Sequence, residues 1–155
     1  DDVARGLAAV HGHGLAYDLL LRPRELPAAI TAVQRMPEMR WVLDHIAKPE
    51  IAKGGWEPWA TDIAALAAAS PNCWVKLSGM ATEADWNAWT ADHLAPYVRH
   101  VLACFGPERA MIGSDWPVCT LSGDYLATLN AVIDYVPVRH REAVLGGNCK
   151  RIYKL

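Results

Sequence analysis

The sequence lacks the features that mark several large classes of protein. Its 15 basic and 17 acidic side chains leave a formal net charge of −2, and it has no block of Lys and Arg that could bind nucleic acid. It also lacks an apolar stretch of transmembrane length and a signal peptide, so we expect no membrane association. At 155 residues, 52% of them hydrophobic, the chain fits a single domain with a buried core.

The common cofactor and metal motifs are absent as well. Gly54-Gly55 and Gly146-Gly147 do not have the spacing of a dinucleotide-binding or phosphate-binding loop. The four cysteines include no Cys-x-x-Cys pair, which argues against a structural zinc site and favours free thiols in a reducing compartment. We therefore expect a cytoplasmic protein.

Strand-like and helix-like segments alternate four times along the chain. The predicted strands are residues 15–21, 41–45, 73–78 and 110–114, and apolar residues spaced three or four apart predict a helix after each. Four consecutive β/α units imply parallel strands joined by right-handed crossovers. Two folds fit this pattern, a small open α/β sheet and half of an eight-stranded (β/α)₈ barrel.

The two ends of the chain carry signals of their own. The first residue is Asp1 rather than Met, and residues 3–10 are typical of a helix already under way, so we expect an N-terminal portion to be missing. A last short helix is predicted at residues 139–145. It should end at Gly146-Gly147, because glycine commonly follows the C-terminus of a helix.

Two ionisable residues follow predicted strands at the ends where parallel sheets bind ligands. His45 closes the second strand, and Asp115 follows the fourth with Trp116 beside it. The two side chains could face one cleft, in which Asp115 would serve as a general acid or base. Strand alternation places His45 on the same face as Leu43. The ordinary alternatives are a packed histidine and a turn aspartate that ends its strand.

Four further residues are candidate substrate contacts. Lys76 and Ser78 share one face of the third strand, and a buried lysine is rarely without a role. Lys76 is either a substrate contact or part of an ion pair with Asp18 or Asp115. Asp18 has the same two interpretations. Trp116 is the tryptophan we assign to substrate, since most of the seven tryptophans are expected in the core.

Two other features have mainly structural interpretations. The ammonium group of Lys48, just before Pro49, could lie over a substrate oxyanion, although a solvated turn is the simpler interpretation. His11 and His13 form a His-x-His pair, a common beginning of a metal site. The pair comes before the first strand, at the opposite pole from Asp115, so we predict a loop.

Together these segments resemble the amidohydrolase superfamily, in particular its branch of sugar-lactone and pyrone-dicarboxylate hydrolases. The resemblance rests on residues 41–49 (WVLDHIAKP), 75–79 (VKLSG), 113–117 (GSDWP) and 147–153 (GNCKRIY), in that order. The family fold is a (β/α)₈ barrel of about twice this length with its site at the C-terminal rim. The resemblance implies that residues 1–155 are the C-terminal half of such a barrel, strands five to eight.

The resemblance also implies roles for the two ionisable residues. Asp115 corresponds to the family's essential aspartate after strand eight, which takes a proton from the attacking water and later passes it to the leaving oxygen. His45 corresponds to the histidine after strand six, which helps to orient or polarise a lactone carbonyl. We therefore expect hydrolysis of the lactone of a sugar acid, with Asp18, Lys76, Ser78 and Trp116 as substrate contacts.

The chain departs from the family in what it lacks. The family's His-x-His after strand one is missing, so the chain falls short of the three protein ligands of catalytic zinc, and a divalent metal is expected only together with the missing segment. Half a barrel exposes two strand edges, which a second copy or the missing half would cover. The alternatives are a metal-dependent decarboxylase of the same superfamily and an inactive fragment that acts only as an assembly partner.

Overall fold

The computed structural model describes residues 2–155, which form a parallel four-stranded sheet flanked by helices. The strands are β1 (Ala16–Leu19), β2 (Arg40–Leu43), β3 (Cys73–Leu77) and β4 (Ala110–Ile112). They pair in chain order, and every pairing is parallel. A doubly wound sheet reverses its strand order at a switch point, whereas the strands of a barrel follow one another. The order therefore favours part of a (β/α)₈ barrel.

Helices connect the strands and confirm the predicted alternation. They are α1 (Asp2–Gly12), α2 (Leu26–Arg35), α3 (Trp59–Ala69), α4 (Ala91–Phe105), α5 (Tyr125–Ile133) and α6 (Asn148–Tyr153). Helices α2 to α5 each follow one strand, and short 3₁₀ turns occupy the connections. Within residues 2–155, no helix combines the length and apolar character needed to span a bilayer.

The outer face of the sheet carries the main core. Trp41, Leu43 and Val75 point to this face and are fully buried. The helices that cover them contribute Val33 from α2, Leu66 from α3 and Val101 from α4. Complete burial of such a side chain contributes about 2 kcal/mol, so this layer fixes the strands against the helices.

The inner face of the sheet, which would line the interior of a barrel, is covered at one end only. Val42, Trp74 and Met111 alternate with the outer-face residues, and Ile152 of α6 packs over them. The Arg40 guanidinium at the start of β2 donates a hydrogen bond to the Ile152 carbonyl. Helix α6 therefore closes the amino-terminal end of the inner face and leaves the carboxyl ends of the strands open.

The predicted end of the last helix at Gly146-Gly147 is wrong. A π-helical turn over Ala143–Gly147 runs directly into α6, with Gly147 itself in helical conformation (φ −56°). The buried Asn148 side chain donates hydrogen bonds to the carbonyls of Pro107 and Ala110 at 2.8 and 2.7 Å. These tertiary bonds, with the packing of Ile152, outweigh the tendency of glycine to stop a helix.

Candidate active site

The structure brings three polar side chains together at the carboxyl ends of β2, β3 and β4. His45 Nδ1 lies 2.9 Å from Ser78 Oγ, and His45 Nε2 lies 3.5 Å from Asp115 Oδ1. The side chains of His45 and Asp115 are 17% and 11% exposed, so both are largely buried but retain contact with solvent. This is the juxtaposition expected of His45 and Asp115, at the edge where α/β proteins bind ligands.

A left-handed turn presents the histidine. Strand β2 ends at Leu43, and the φ angles of His45, Ile46, Ala47 and Lys48 are 52°, 47°, 61° and 50°. A left-handed conformation costs roughly 1–2 kcal/mol per residue with a side chain. Such strain persists where surrounding contacts hold it, commonly at functional sites.

The turn corrects one expectation. Strand alternation predicted that His45 would share the outer face with Leu43, but the strand has ended by residue 44. The imidazole instead contacts Ser78, which belongs to the inner-face series of β3. Nothing in the side chains of residues 45–48 signals this turn, because none of them is glycine.

Asp115 also has a left-handed backbone, with φ 60°. Its Oδ2 atom is buried and accepts no hydrogen bond from any residue in the range 2–155. The adjacent Ser114 Oγ accepts a bond from the Trp116 backbone N–H at 3.1 Å, which shapes the loop around the carboxylate. A carboxylate oxygen with free acceptor capacity is suited to take a proton from a bound water.

Burial keeps the imidazole neutral. Burial is the largest influence on the pKa of His45 and lowers it below the ordinary 6.5. The negative charges of Asp115 and Asp44 act to raise this pKa, whereas the positive charges of Lys48 and Lys76 lower it further. A carboxylate can only accept a hydrogen bond, so the tautomer with the proton on Nε2 suits the contact with Asp115. The Ser78 hydroxyl then donates to Nδ1.

A second polar cluster lies further down the inner face, below His45 and Asp115. Lys76 Nζ lies 2.6 Å from Asp18 Oδ2 and 2.7 Å from Asp44 Oδ1. The Tyr153 hydroxyl donates to Asp18 Oδ1 at 2.7 Å. Burial acts to lower the pKa of Lys76, but its bonds to Asp18 and Asp44 outweigh burial and raise it. Of the two interpretations of Lys76, the structure contains the ion pair, with Asp18.

Sequence reasoning missed Asp44 as a partner of Lys76. The available signal was its position directly after the buried strand β2, two residues from Val42 on the inner face. The predicted substrate contact Trp116 lies at the rim, where it is 67% exposed. His11 and His13 are exposed before β1, at the other pole as expected, but the predicted loop is wrong for His11, which lies in the last turn of α1.

Lys48 does not occupy a solvated turn. Its ammonium lies 3.3 Å from Glu83 Oε1 in the loop after β3, and both side chains are largely buried. Arg22, in the loop after β1, approaches the other Glu83 oxygen at 3.7 Å. The ion pairs link the loops that follow three neighbouring strands.

Metal-binding capacity is limited in this part of the protein. Residues 2–155 contain no group of three or more His, Cys, Asp or Glu side chains that could hold a metal ion. Catalytic zinc sites use three protein ligands. The described residues therefore do not form a zinc site by themselves.

Comparison with known proteins agrees with this architecture. The amidohydrolase family model matches residues 1–155. An L-fucono-1,5-lactonase of Burkholderia ambifaria is 42% identical over 154 residues, which cover 95% of this chain and 52% of that protein. An L-fucono-1,5-lactonase of Burkholderia multivorans is 35% identical over an alignment 170 residues long, which covers 99% of this chain and 56% of that protein.

A solved structure extends the comparison to the fold. A Burkholderia multivorans amidohydrolase crystallised with bound zinc superposes with a TM-score of 0.93 at 35% identity, covering 99% of this chain and 57% of that one. The chain thus spans about half the length of the relatives it matches. Its four β/α units in sequential order correspond to half of a barrel. On the family match, the similarity over nearly its full length and the shared fold, the chain belongs to the amidohydrolase family.

Proposed function

We propose that this chain supplies the acid–base residues of a hydrolase that opens the lactone ring of a sugar acid, and that the activity belongs to a complete barrel. The observation that carries the proposal is the adjacency of His45 and Asp115 at the carboxyl edge of the sheet. The L-fucono-1,5-lactonases among its relatives support a sugar lactone as the substrate class.

Asp115 is the proposed general base. A water molecule attacks the lactone carbonyl carbon while the carboxylate takes one of its protons, which gives a tetrahedral intermediate. The bond between that carbon and the ring oxygen then breaks. Asp115 returns its proton to the departing oxygen, so the product is the open hydroxy acid and the carboxylate is ready for another cycle.

His45 is the proposed donor to the carbonyl oxygen. A neutral imidazole with its proton on Nε2 can stabilise negative charge on that oxygen without first giving up a proton. Ser78 was predicted as a substrate contact; because it is 3% exposed and bonded to His45, its role in this scheme is to orient the ring through Nδ1. Asp18, Lys76 and Trp116 remain predicted substrate contacts; the ion pair between Asp18 and Lys76 would then present charge and hydrogen-bonding groups at the base of the site.

A partner is required to complete the barrel. Strands β1 and β4 each pair with one neighbour only within residues 2–155. Large apolar side chains are exposed in the segments that follow the two edge strands, Leu20 after β1 and Trp116 and Leu126 after β4. We propose that the occupant is the complementary half of the barrel, because the relatives are about twice as long. Since all four cysteines are free thiols, we place the protein in a reducing compartment such as the cytoplasm.

The test is an assay on a joined protein, in which the N-terminal half of the Burkholderia ambifaria relative precedes this chain. It is offered L-fucono-1,5-lactone and other aldonolactones, with acid release followed by a pH indicator. We expect turnover in the joined protein and a loss of about 10³-fold or more in Asp115→Asn. Asp124→Asn is the matched control, because Asp124 only caps α5 through Ala127 N and Asn caps equally well. Unchanged turnover in Asp115→Asn would remove the aspartate from the mechanism.

A further inference from the structure

We infer that Trp59 is a positioning residue, whose indole N–H holds the left-handed turn that presents His45. The inference rests on the proposed function only in assigning His45 to the reaction. Trp59 touches no part of the cleft: it is the first residue of α3, on the outer side of the sheet, and is 2% exposed.

The contact is a single short hydrogen bond to the middle of the turn. Trp59 Nε1 donates to the Ile46 carbonyl at 2.7 Å, and Ile46 is fully buried. The Ile46 carbonyl belongs to the peptide between Ile46 and Ala47, so the bond fixes the middle of the turn, one residue after His45. A left-handed run needs contacts of this kind, because the backbone alone disfavours it.

The indole itself is immobilised by rings on α4 and in the preceding loop. The Trp59 ring centroid lies 5.5 Å from that of Trp56, 5.2 Å from Tyr97 and 5.5 Å from His100. His100 is fixed in turn by a hydrogen bond between its Nε2 and the Ala60 carbonyl at 2.8 Å. The donor therefore points at the turn from a rigid base.

Two further contacts close the turn from other sides. A Cβ added at Gly79 would lie 2.8 Å from Cβ, Cγ and Nδ1 of His45, so the imidazole lies directly on the backbone of residue 79. Lys48, the last residue of the turn, is held by Glu83. Trp59 is the contact that acts on the turn's own backbone.

The molecule offers a matched control for a merely structural role. Trp41 is also fully buried, and its Nε1 donates to a backbone carbonyl, that of Met36, at 3.0 Å. Trp41 lies near the amino end of β2, away from the cleft. Replacing either tryptophan by phenylalanine removes a buried indole donor and leaves a similar gap.

The experiment compares Trp59→Phe and Trp41→Phe in this chain by NMR of the His45 ring nitrogens, which report its tautomer and its bond to Ser78. Ser78→Ala, which removes that bond directly, sets the scale of the signal change. We expect Trp59→Phe to shift the His45 signals by a comparable amount and Trp41→Phe to leave them in place. In the joined protein, we expect kcat to fall at least about tenfold in Trp59→Phe, with KM within about twofold.

A second substitution covers the case in which Trp59→Phe does not fold. The isosteric analogue β-(3-benzothienyl)alanine at position 59 replaces the N–H by sulfur and keeps the ring, so only the hydrogen bond is lost. Unchanged His45 signals and unchanged kcat in that protein would overturn the inference. If Asp115→Asn still abolished turnover, the proposed function would survive. If the joined protein hydrolysed no lactone, the proposed function would fail while the NMR comparison still decided the role of Trp59.

Discussion

The inner face of the sheet carries two polar clusters that differ in how their charges are satisfied. In the upper cluster, His45 and Asp115 lie 3.5 Å apart on strained backbone, and Asp115 retains an unpaired buried oxygen. In the lower cluster, Lys76 lies within 2.7 Å of two carboxylates. In the upper cluster, Asp115 Oδ2 is buried with neither a hydrogen bond nor an ion pair among the described residues, whereas in the lower cluster Lys76 neutralises Asp18 and Asp44 and Tyr153 of α6 donates to Asp18.

The largest effect on folding is expected where the upper cluster is most crowded. Gly79→Ala places a methyl group 2.8 Å from His45 and also imposes a positive φ of 67° on alanine. Gly54→Ala is the matched control, since its φ is 65° and its Cβ would meet nothing within 4 Å. We expect a loss of about 3 kcal/mol at residue 79 against about 1 kcal/mol at residue 54. Urea denaturation measures both, and equal losses would mean that the contact with His45 has no energetic weight.

A smaller loss is expected in the lower cluster. Lys76→Met leaves Asp18 and Asp44 without their shared cation, and because the group is partly exposed we expect a cost of about 2 kcal/mol. Lys53→Met removes an exposed pair with Glu50 and should cost less than about 0.5 kcal/mol. Thermal unfolding of the two variants separates these cases. A Lys76→Met protein as stable as Lys53→Met would show that the lower cluster does not support the fold.

The smallest effect is a pH dependence of stability that belongs to His45. Burial lowers its pKa in the folded protein, so between that pKa and 6.5 the unfolded chain binds more protons than the folded one. Stability from this residue is complete above pH 6.5 and is lost as pH falls through that window. The slope contributed is at most about 1.4 kcal/mol per pH unit.

His45→Gln isolates this contribution from that of the carboxylates. We expect the stability of His45→Gln to fall less steeply than that of the unaltered chain between pH 6.5 and 5, as measured by urea denaturation at each pH. Parallel curves would mean that His45 titrates normally and is not desolvated.

Sequence patterns predicted much of the fold because strands and helices here are amphipathic or wholly buried. The four apolar runs predicted four parallel strands, and the positions of His45 and Asp115 after two of them pointed to one edge of the sheet. The strand order, which distinguishes half a barrel from an open doubly wound sheet, came from the structure. The left-handed turn at residues 45–48 could not be predicted, since it is stabilised by contacts with Trp59, Gly79 and Glu83 that are distant in sequence.

Long-range contacts also explain the remaining differences. The pattern at Lys76 was equally compatible with a substrate contact and an ion pair, and only the tertiary structure brings Asp44 to it. The glycines at 146 and 147 are ordinary helix terminators in sequence. They continue as helix because Asn148 and Ile152 have partners at β4 and on the inner face.

We propose that His45 and Asp115 act as one unit on a lactone, and a double-mutant cycle on kcat/KM in the joined protein measures their coupling. Residues that serve the same step are strongly non-additive. We predict that His45→Gln combined with Asp115→Asn is within about threefold of Asp115→Asn alone. Losses that multiply in the double variant would show that the two side chains act independently, and would contradict the account.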